Sequence, residues 1–326
     1  MSNLVRHEER FLQASGTLKL PAIITNAGEH AARRFIEFFI ATIRNKNTRM
    51  AYGRAVYQFM DWCDERGLDL YSIEPITVAA YIEWKQTDYE APTVKQHLAA
   101  IRMLFDWMVT GQVLPSNPAA SVRGPKHVVD TGKTPIMAPE EARQLLESID
   151  TDTLSGLRDR AMIAVMLYTF GRVSAVTKIK VEDYYMSGKQ SRIRLQEKGG
   201  KVRELPLHHE AVEYLDAYIR IAGIGEEKKL PLFRSMGRGR GDSVTDRPLD
   251  RRNVLAMIKR RALGAGLSPA LCNHSLRGTG ITAFLEADGK LEIAQSIAGH
   301  ASARTTKLYD RRNQDVQQGE IERIRF

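Results

Sequence analysis

The sequence has few cysteines, no long apolar run and no signal-peptide pattern, and each absence excludes a class of protein. Cys63 and Cys272 are the two cysteines among 326 residues, far apart and outside any Cys/His cluster. A disulfide framework and a zinc site are therefore excluded, and a reducing compartment is expected. The apolar stretch FIEFFIATI is interrupted by Glu37 and is too short to span a bilayer, and the start MSNLVRHEER is polar. We expect a soluble, cytoplasmic protein.

The charged residues are unbalanced toward the positive sign. Lysine and arginine number 48 against 39 aspartates and glutamates, which gives a formal net charge of +9 at pH 7. This excess favours a polyanionic partner, and nucleic acid comes before membrane because no lipidation signal is present. Charge alone also fits a basic cytosolic enzyme without such a partner.

The length of the chain exceeds that of a usual single domain, which predicts two domains. Residues 31–123 have helical periodicity without a strand signal, so they predict a helical domain. Prolines, glycines and basic residues then cluster over residues 124–138, which predicts an extended basic linker. Such a linker could lie along a groove or the backbone of a nucleic acid, or it could be a plain tether. We predict a second domain over residues 139–326, ending in a short tail, and we assign no role to residues 1–30.

Most of the second domain also has a helical pattern. RDRAMIAVMLYTF is apolar on every side, which is typical of a buried helix. RIRLQEKGGKVRELPL has alternating apolar residues on both sides of a Gly-Gly turn and predicts a β-hairpin. GRGRGD has no strand pattern before it, so we interpret it as a flexible loop and not as a nucleotide-binding loop. The expected fold class is mainly α with a small β-hairpin or sheet in the C-terminal domain (α+β).

Side chains suited to phosphoryl transfer lie in four separate stretches: YTFGRVSAV, LQEKGGKVREL, NHSLRGTG and IAGHASARTTKLY. A phosphodiester in transfer spreads negative charge over its oxygens, and fixed donors around that charge supply most of the catalysis. Arginine offers a bidentate fork, histidine or lysine can carry a proton, and a positioned tyrosine can act as a nucleophile. Each residue alone has an ordinary structural explanation, so only their joint occurrence favours this chemistry. The candidates are Arg172, Lys198, His274, Arg277, His300 and Tyr309.

In their order along the chain, these motifs resemble those of the tyrosine recombinases, also called the phage integrase family. The resemblance runs from about residue 139 to residue 312, and the helical region followed by NPAASVRGPK resembles the family's SAM-like core-binding domain and linker. It implies a two-domain, C-shaped DNA clamp. It also implies that Tyr309 is the nucleophile and that the other five candidates complete the catalytic set.

The chain departs from the family's pattern at three positions. The family usually has an acidic residue where Ala175 stands, so we expect another carboxylate, such as Glu182 or Asp183, to orient the first arginine. The family commonly has a glycine where Phe170 stands, and a bulky or basic residue where Gly278 stands.

The reaction that the resemblance implies needs neither a metal nor a cofactor nor ATP. Tyrosine attack would leave a 3′-phosphotyrosyl link, and two exchanges through a Holliday junction would recombine paired sites on double-stranded DNA. A homotetramer on DNA, assembled from free monomers, and accessory DNA-bending proteins are the implied partners. A type IB-like topoisomerase and a non-catalytic DNA-binding protein of the same fold are the alternatives. The lack of a tight carboxylate cluster argues against a metal-dependent nuclease.

Overall fold

A computed structural model of the chain describes residues 20–127, 132, 134–237, 243–310 and 322, except for the side chain of Lys198. The chain divides into two compact units after Val128, a position inside the predicted linker. We call residues 1–128 the N-terminal unit and residues 129–326 the C-terminal unit, and we describe each by itself. The predicted fold class, mainly helical with small antiparallel sheets, is confirmed.

The N-terminal unit is helical where it is described. Its α-helices there are α1 (Ala22–Asn26), α2 (Glu29–Glu37), α3 (Lys46–Asp64), α4 (Pro75–Gln86) and α5 (Ala91–Thr110). A π-helical turn follows α2, and a 3₁₀ turn precedes α4. The Asn45 side chain accepts hydrogen bonds from the backbone N–H groups of Asn47 and Thr48, which fixes the start of α3.

The N-terminal unit begins before residue 31, the start that the sequence predicts for the helical domain, because helix α1 belongs to it. Ile23 and Ile24 are buried in the same hydrophobic core as Phe35, Phe59 and Phe105. Two apolar residues on so short a helix gave too weak a periodicity to be recognised in the sequence. The compact unit therefore includes part of the segment that had been left unassigned.

A polar pair lies inside the core of the N-terminal unit. The hydroxyl of Tyr81 lies 3.0 Å from Nδ1 of His97, and both residues are buried. The rings of Trp62 and Trp84 lie within 6 Å of the Tyr81 ring, at centroid distances of 5.5 and 5.9 Å. The hydrogen bond satisfies two polar groups that burial would otherwise leave without a partner.

The C-terminal unit combines helices with two small antiparallel sheets. Its described α-helices are α6 (Pro139–Glu147), α7 (Leu154–Thr169), α8 (Val173–Val176), α9 (His209–Ala222), α10 (Arg251–Gly264), α11 (Asn273–Glu286), α12 (Leu291–Ala298) and α13 (Ala303–Lys307). Its described strands are β1 (Tyr184–Ser187), β2 (Gln190–Gln196), β3 (Val202–Pro206), β4 (Arg234–Met236) and β5 (Val244–Pro248). Across the described ranges of the whole chain, we find no helix that is long and apolar enough to cross a membrane.

Helix α7 is the central helix of this unit, as its uniformly apolar sequence predicted. Most of its residues are buried, and α9 and α11 pack against it. Gly280 of α11 permits the close approach to α7, since a Cβ atom there would lie 2.1 Å from the carbonyl oxygen of Leu167. This contact holds α11 against the end of α7. Two of the candidate site residues, His274 and Arg277, lie on α11.

The predicted hairpin is confirmed as strands β2 and β3, with Ile193 paired to Leu205. Strand β1 pairs antiparallel to the other edge of β2, so the sheet has three strands where the sequence had indicated two. Strands β4 and β5 flank the GRGRGD loop, and residues 238–242 of that loop lie outside the described residues.

Candidate active site

Arg277 has the most deeply buried side chain among the candidates whose side chains the structure describes. It lies near the start of α11, is 2% exposed, and donates from Nη2 to the carbonyl oxygen of Ala298 at 2.7 Å and from Nη1 to the carbonyl oxygen of Phe170. Burial, together with the nearby charge of Arg172, lowers the pKa of Arg277 to about 10. The guanidinium is therefore fixed, and it lacks a carboxylate directly bonded to it among the described residues.

Phe170 explains how the chain ends α7 without the glycine that is common at this position. Its backbone has φ 51° and ψ 32°, in the left-handed region that costs a non-glycine residue about 1–2 kcal/mol. The ring is retained because it packs with Ile281 and lies edge-on to Phe284, with centroids 6.1 Å apart. The left-handed turn directs the Phe170 carbonyl to Arg277.

Arg172, at the start of α8, is held by a carboxylate from the hairpin. Its Nη1 donates to Oε2 of Glu197 at 2.8 Å, and Nη2 of Arg203 donates to Oε1 of the same carboxylate at 2.7 Å. Burial by itself would raise the pKa of Glu197, but the two arginines outweigh burial and hold that pKa below its usual range. Glu197 is therefore ionised at neutral pH.

The carboxylates expected to orient Arg172 lie elsewhere, so that expectation is wrong in its residues. Glu182 pairs with Lys229 at 2.8 Å. Asp183 accepts from the backbone N–H of Lys180 at 3.0 Å, next to the 3₁₀ turn that it terminates. Both residues are close to Arg172 in sequence, but the turn after α8 directs their side chains to other partners.

His300 follows Gly299, which has the left-handed conformation that ends α12. Its ring is 8% exposed, and Nδ1 lies 2.8 Å from Oγ1 of Thr306. Burial and the charges of Arg277, Arg172 and Arg203 lower the pKa of His300 to about 4. The imidazole is therefore neutral at physiological pH.

His274 lies one turn before Arg277 on α11 and is open to solvent on one side. Desolvation by the protein atoms around the ring, followed by the charges of Arg277 and Arg172, lowers the pKa of His274 below its ordinary value. The HxxR spacing therefore does place the two side chains near one another, although only the arginine is buried.

Tyr309 is half-buried and lies two residues after Lys307, the last residue of α13. Its backbone N–H donates to the carbonyl oxygen of Thr306 at 3.0 Å, and its carbonyl accepts from the Thr282 hydroxyl at 2.9 Å. The ring is nearly parallel to that of His300, at 10° with centroids 6.1 Å apart. A Cβ atom at Gly278 would lie 3.2 Å from Cε1 of Tyr309, so the small residue at position 278 leaves room for the tyrosine ring.

Lys198 is the first residue of a 3₁₀ turn at the tip of the hairpin, directly after Glu197. Gly199, with φ 80°, forms the tight turn that follows. The backbone of Lys198 is thus next to the partner of Arg172, while its side chain lies outside what the structure describes.

Five of the six candidates converge on one place. The charges of both Arg172 and Arg277 act on His274 and on His300, and Tyr309 lies close to Arg277 and His300. Sequence reasoning missed the supporting residues. These are Glu197, Arg203 and Thr306.

The chemistry of this cluster is that of an anion site. It offers two guanidinium groups, two neutral imidazoles and a phenol. Within the ranges that the structure describes, we find no group of three or more His, Cys, Asp or Glu residues that could hold a metal ion. An oxyanion bound here would face fixed donors and a hydroxyl nucleophile at once.

An apolar groove of about 660 Å³ lies on the same unit, between α6, α7, α9 and α11. Phe170 lines this groove, and its carbonyl oxygen accepts a hydrogen bond from Arg277, so the groove adjoins the candidate site. Arg143, Glu147 and Glu210 contribute charged groups to its lining. Its apolar lining includes Leu146, Leu167, Leu207, Phe284 and Ile297.

Two family models match the chain. Residues 135–315 match the phage integrase family, and residues 33–112 match the phage integrase N-terminal SAM-like domain. The first match includes every one of the six candidate residues, and the second lies within the N-terminal unit.

Relatives with curated names are similar over most of their length. The chain is 30% identical over 300 residues to the tyrosine recombinase XerD of Ralstonia nicotianae, which covers 91% of this chain and 92% of that protein. It is 24% identical over 294 residues to the tyrosine recombinase XerC of Leptospira interrogans, covering 89% and 91%.

Solved structures share the fold. The XerH site-specific recombinase, in a post-cleavage complex with its palindromic difH substrate, has a TM-score of 0.67 at 16% identity and covers 89% of this chain and 94% of its own. A lambda integrase tetramer bound to a Holliday junction has a TM-score of 0.65 at 18% identity and covers 96% and 88%.

Proposed function

The chain belongs to the phage integrase family, the tyrosine recombinases, and we propose that it exchanges DNA strands through a covalent bond between Tyr309 and DNA. As a member of this family it is an enzyme of site-specific DNA recombination. The observation that carries the proposed mechanism is the convergence of Tyr309 with Arg172, Arg277 and the two imidazoles.

In the proposed reaction, the phenolic oxygen of Tyr309 attacks the scissile phosphorus and the bond to the 5′ oxygen breaks. The products are a 3′-phosphotyrosyl link and a free 5′-hydroxyl, which takes up a proton. The 5′-hydroxyl of a partner strand then attacks the phosphotyrosine, and the tyrosine regains its proton. The number of phosphodiester bonds is conserved, so the exchange needs no ATP.

Arg172 and Arg277 bind the non-bridging oxygens in this mechanism. The charge on these oxygens increases in the transition state, and fixed guanidinium donors stabilise it without reorganising. Arg277 suits this role because two backbone carbonyls fix it and leave its positive charge uncompensated by a bonded carboxylate.

His300 and His274 are neutral before DNA binds, because their pKa values are lowered. A neutral imidazole can accept the phenolic proton or donate a hydrogen bond to a phosphate oxygen. We assign proton transfer at Tyr309 to His300, whose ring faces that of the tyrosine. We assign a phosphate contact to His274 and proton donation to the leaving 5′ oxygen to Lys198.

For the assembly we propose a homotetramer on paired sites in double-stranded DNA, formed from monomers. The C-terminal sequence EIERIRF combines Ile321, Ile324 and Phe326 with two glutamates and two arginines. Docking of this segment in the apolar groove of a neighbouring copy would bury the apolar side chains and bring its charged residues near Arg143, Glu147 and Glu210. Apart from residue 322, the tail lies outside the described residues. Accessory DNA-bending proteins and a cytoplasmic location stay predictions, and the linker is still expected either to lie along the DNA or to act as a plain tether.

Two alternatives are weighed against this mechanism. A non-catalytic DNA-binding protein was favoured by Ala175 alone, and that argument is weaker now that Glu197 supplies a carboxylate to Arg172. A type IB-like topoisomerase would use the same residues, so strand exchange between two labelled duplexes is the measurement that separates it from a recombinase.

Substitution of Tyr309 by phenylalanine tests the proposal. A pool of duplexes with a randomised core is incubated with the protein, and covalent adducts that survive SDS are recovered and sequenced to define the site. Tyr309→Phe removes the attacking oxygen and keeps the ring, so adducts should vanish while DNA binding is retained. The control is Tyr185→Phe, because Tyr185 lies in β1. Adducts from the Tyr309→Phe protein would refute the assignment.

A further inference from the structure

The carboxylate of Glu197 joins two arginines that come from different elements. Its Oε2 atom lies 2.8 Å from Nη1 of Arg172, at the start of α8, and its Oε1 atom lies 2.7 Å from Nη2 of Arg203, on β3. The Glu197 side chain is 8% exposed, so both ion pairs are largely shielded from solvent. Charge-assisted hydrogen bonds of this length are among the stronger ones in proteins.

Both arginines use this carboxylate as their ion-pair partner, and Arg172 is the more exposed of the two. The Arg172 side chain is 36% exposed, against 13% for that of Arg203. A long side chain with that much freedom populates several rotamers, and an ion pair to a fixed group restricts them. Among the described residues, Glu197 is the carboxylate that forms an ion pair with Arg172, and Ala175 on α8 offers none.

Glu197 is itself fixed by the tip of the hairpin. Its backbone N–H donates to the carbonyl oxygen of Lys201 at 2.7 Å, which closes the tip. The next residue in the chain is Lys198. A displacement of the tip would therefore move the carboxylate and the lysine together, and Arg172 has its partner only while the tip occupies this place.

We propose that Glu197 is a positioning residue that fixes Arg172 for the scissile phosphate and couples it to the hairpin that carries Lys198. The proposal rests on the function proposed above. In it, the arginine that binds the phosphate and the lysine that protonates the leaving oxygen are in place together or not at all.

The test uses Glu197→Gln in the full-length protein, since this change removes the charge and keeps the shape. The probe is a nicked duplex built from the sequence recovered with the wild-type protein, so that the short 5′-hydroxyl fragment diffuses away and the adduct accumulates. Misplacement of Arg172 should lower the single-turnover cleavage rate by about 100-fold, with DNA affinity unchanged. Glu204→Gln is the matched control, because Glu204 is on the same hairpin and pairs with Arg194 instead. It should cleave at the wild-type rate.

A second substrate separates an effect through Arg172 from an effect through Lys198. Replacing the bridging 5′ oxygen by sulfur gives a thiolate leaving group that needs no proton, so this substrate should restore cleavage by Lys198→Ala. It should leave the defect of Glu197→Gln in place, because the charge on the non-bridging oxygens still lacks its donor. The proposal would be overturned if the sulfur substrate restored the cleavage rate of the Glu197→Gln protein. It would also be overturned if this protein cleaved the ordinary duplex at the wild-type rate.

Two further outcomes are distinguishable. If Glu197→Gln lowers the Tm, Glu197→Asp takes its place, since aspartate keeps the charge but is one methylene too short to reach Arg172. The same persistent loss of rate supports the proposal, and a wild-type rate refutes it. If the wild-type protein forms no adduct, the proposed function fails, whatever Glu197 does.

Discussion

Acidification should destabilise the N-terminal unit through the buried imidazole of His97. The ring is 6% exposed, and burial followed by the charge of Lys85 lowers the pKa of His97 from 6.5 to about 4. Below pH 6.5 the unfolded chain binds a proton at this position, while the folded chain does not until about pH 4. The free energy of unfolding therefore falls as the pH decreases through this window. The difference between 6.5 and about 4, at about 1.4 kcal/mol per pH unit, amounts to about 3 kcal/mol.

The tryptophans make this measurable in the full-length protein. All three of them, Trp62, Trp84 and Trp107, lie in the N-terminal unit, so tryptophan fluorescence during urea denaturation reports on that unit alone. The comparison is with His97→Phe, which removes the titrating group. This variant should be less stable at pH 7 by about 1–3 kcal/mol, because the Tyr81 hydroxyl loses its partner. Its free energy of unfolding should depend much less on pH between 6.5 and 4. If the free energy of unfolding fell equally in both proteins between pH 6.5 and 4, the role of His97 would be refuted.

Three further predictions concern the C-terminal unit. Phe170→Gly should relieve about 1–2 kcal/mol of left-handed strain but lose about 3–5 kcal/mol of ring burial, so the Tm should fall; a rise would show that the strain outweighs the packing. Lys198→Ala should lower the cleavage rate far more than Lys201→Ala. The reverse order would mean that the register of the hairpin is shifted and that Lys201 takes the position assigned to Lys198. Deletion of residues 317–326 should preserve single-site binding and abolish strand exchange, whereas a lower Tm of the free monomer would mean that the tail packs on its own unit.

Local patterns predicted those parts of the fold that depend on local physics. The uniformly apolar stretch before Arg172 is the buried α7, and the Gly-Gly turn closes the β2–β3 hairpin. Gly299 has the left-handed conformation that ends α12 and precedes His300. Strand β1 was missed because its partner is β2, and the short sequence YYMS has no alternation of its own.

The site residues were found by their motifs, but their support was not. Glu197 contacts Arg172 across 25 residues, and no periodicity relates two positions on different elements. The nearer carboxylates in sequence, Glu182 and Asp183, were the natural expectation and have other partners. One local signal was available, since Glu197 is the acidic residue directly before Lys198 in an otherwise basic hairpin tip.

The charges of the site indicate when Tyr309 becomes reactive in the proposed mechanism. Before DNA binds, burial, together with the charges of Arg277, Arg172 and Arg203, keeps His300 neutral with a pKa of about 4, and Glu197 is the ionised carboxylate that acts in the opposite direction. A bound phosphodiester adds a negative charge beside the two guanidinium groups, which offsets their effect and raises the pKa of His300. The imidazole then becomes a better proton acceptor at the moment when the phosphate is in place. Activation of the nucleophile therefore follows binding of the substrate. In the unoccupied site, Tyr309 lies next to a weak base, so its phenol is poorly activated until DNA binds.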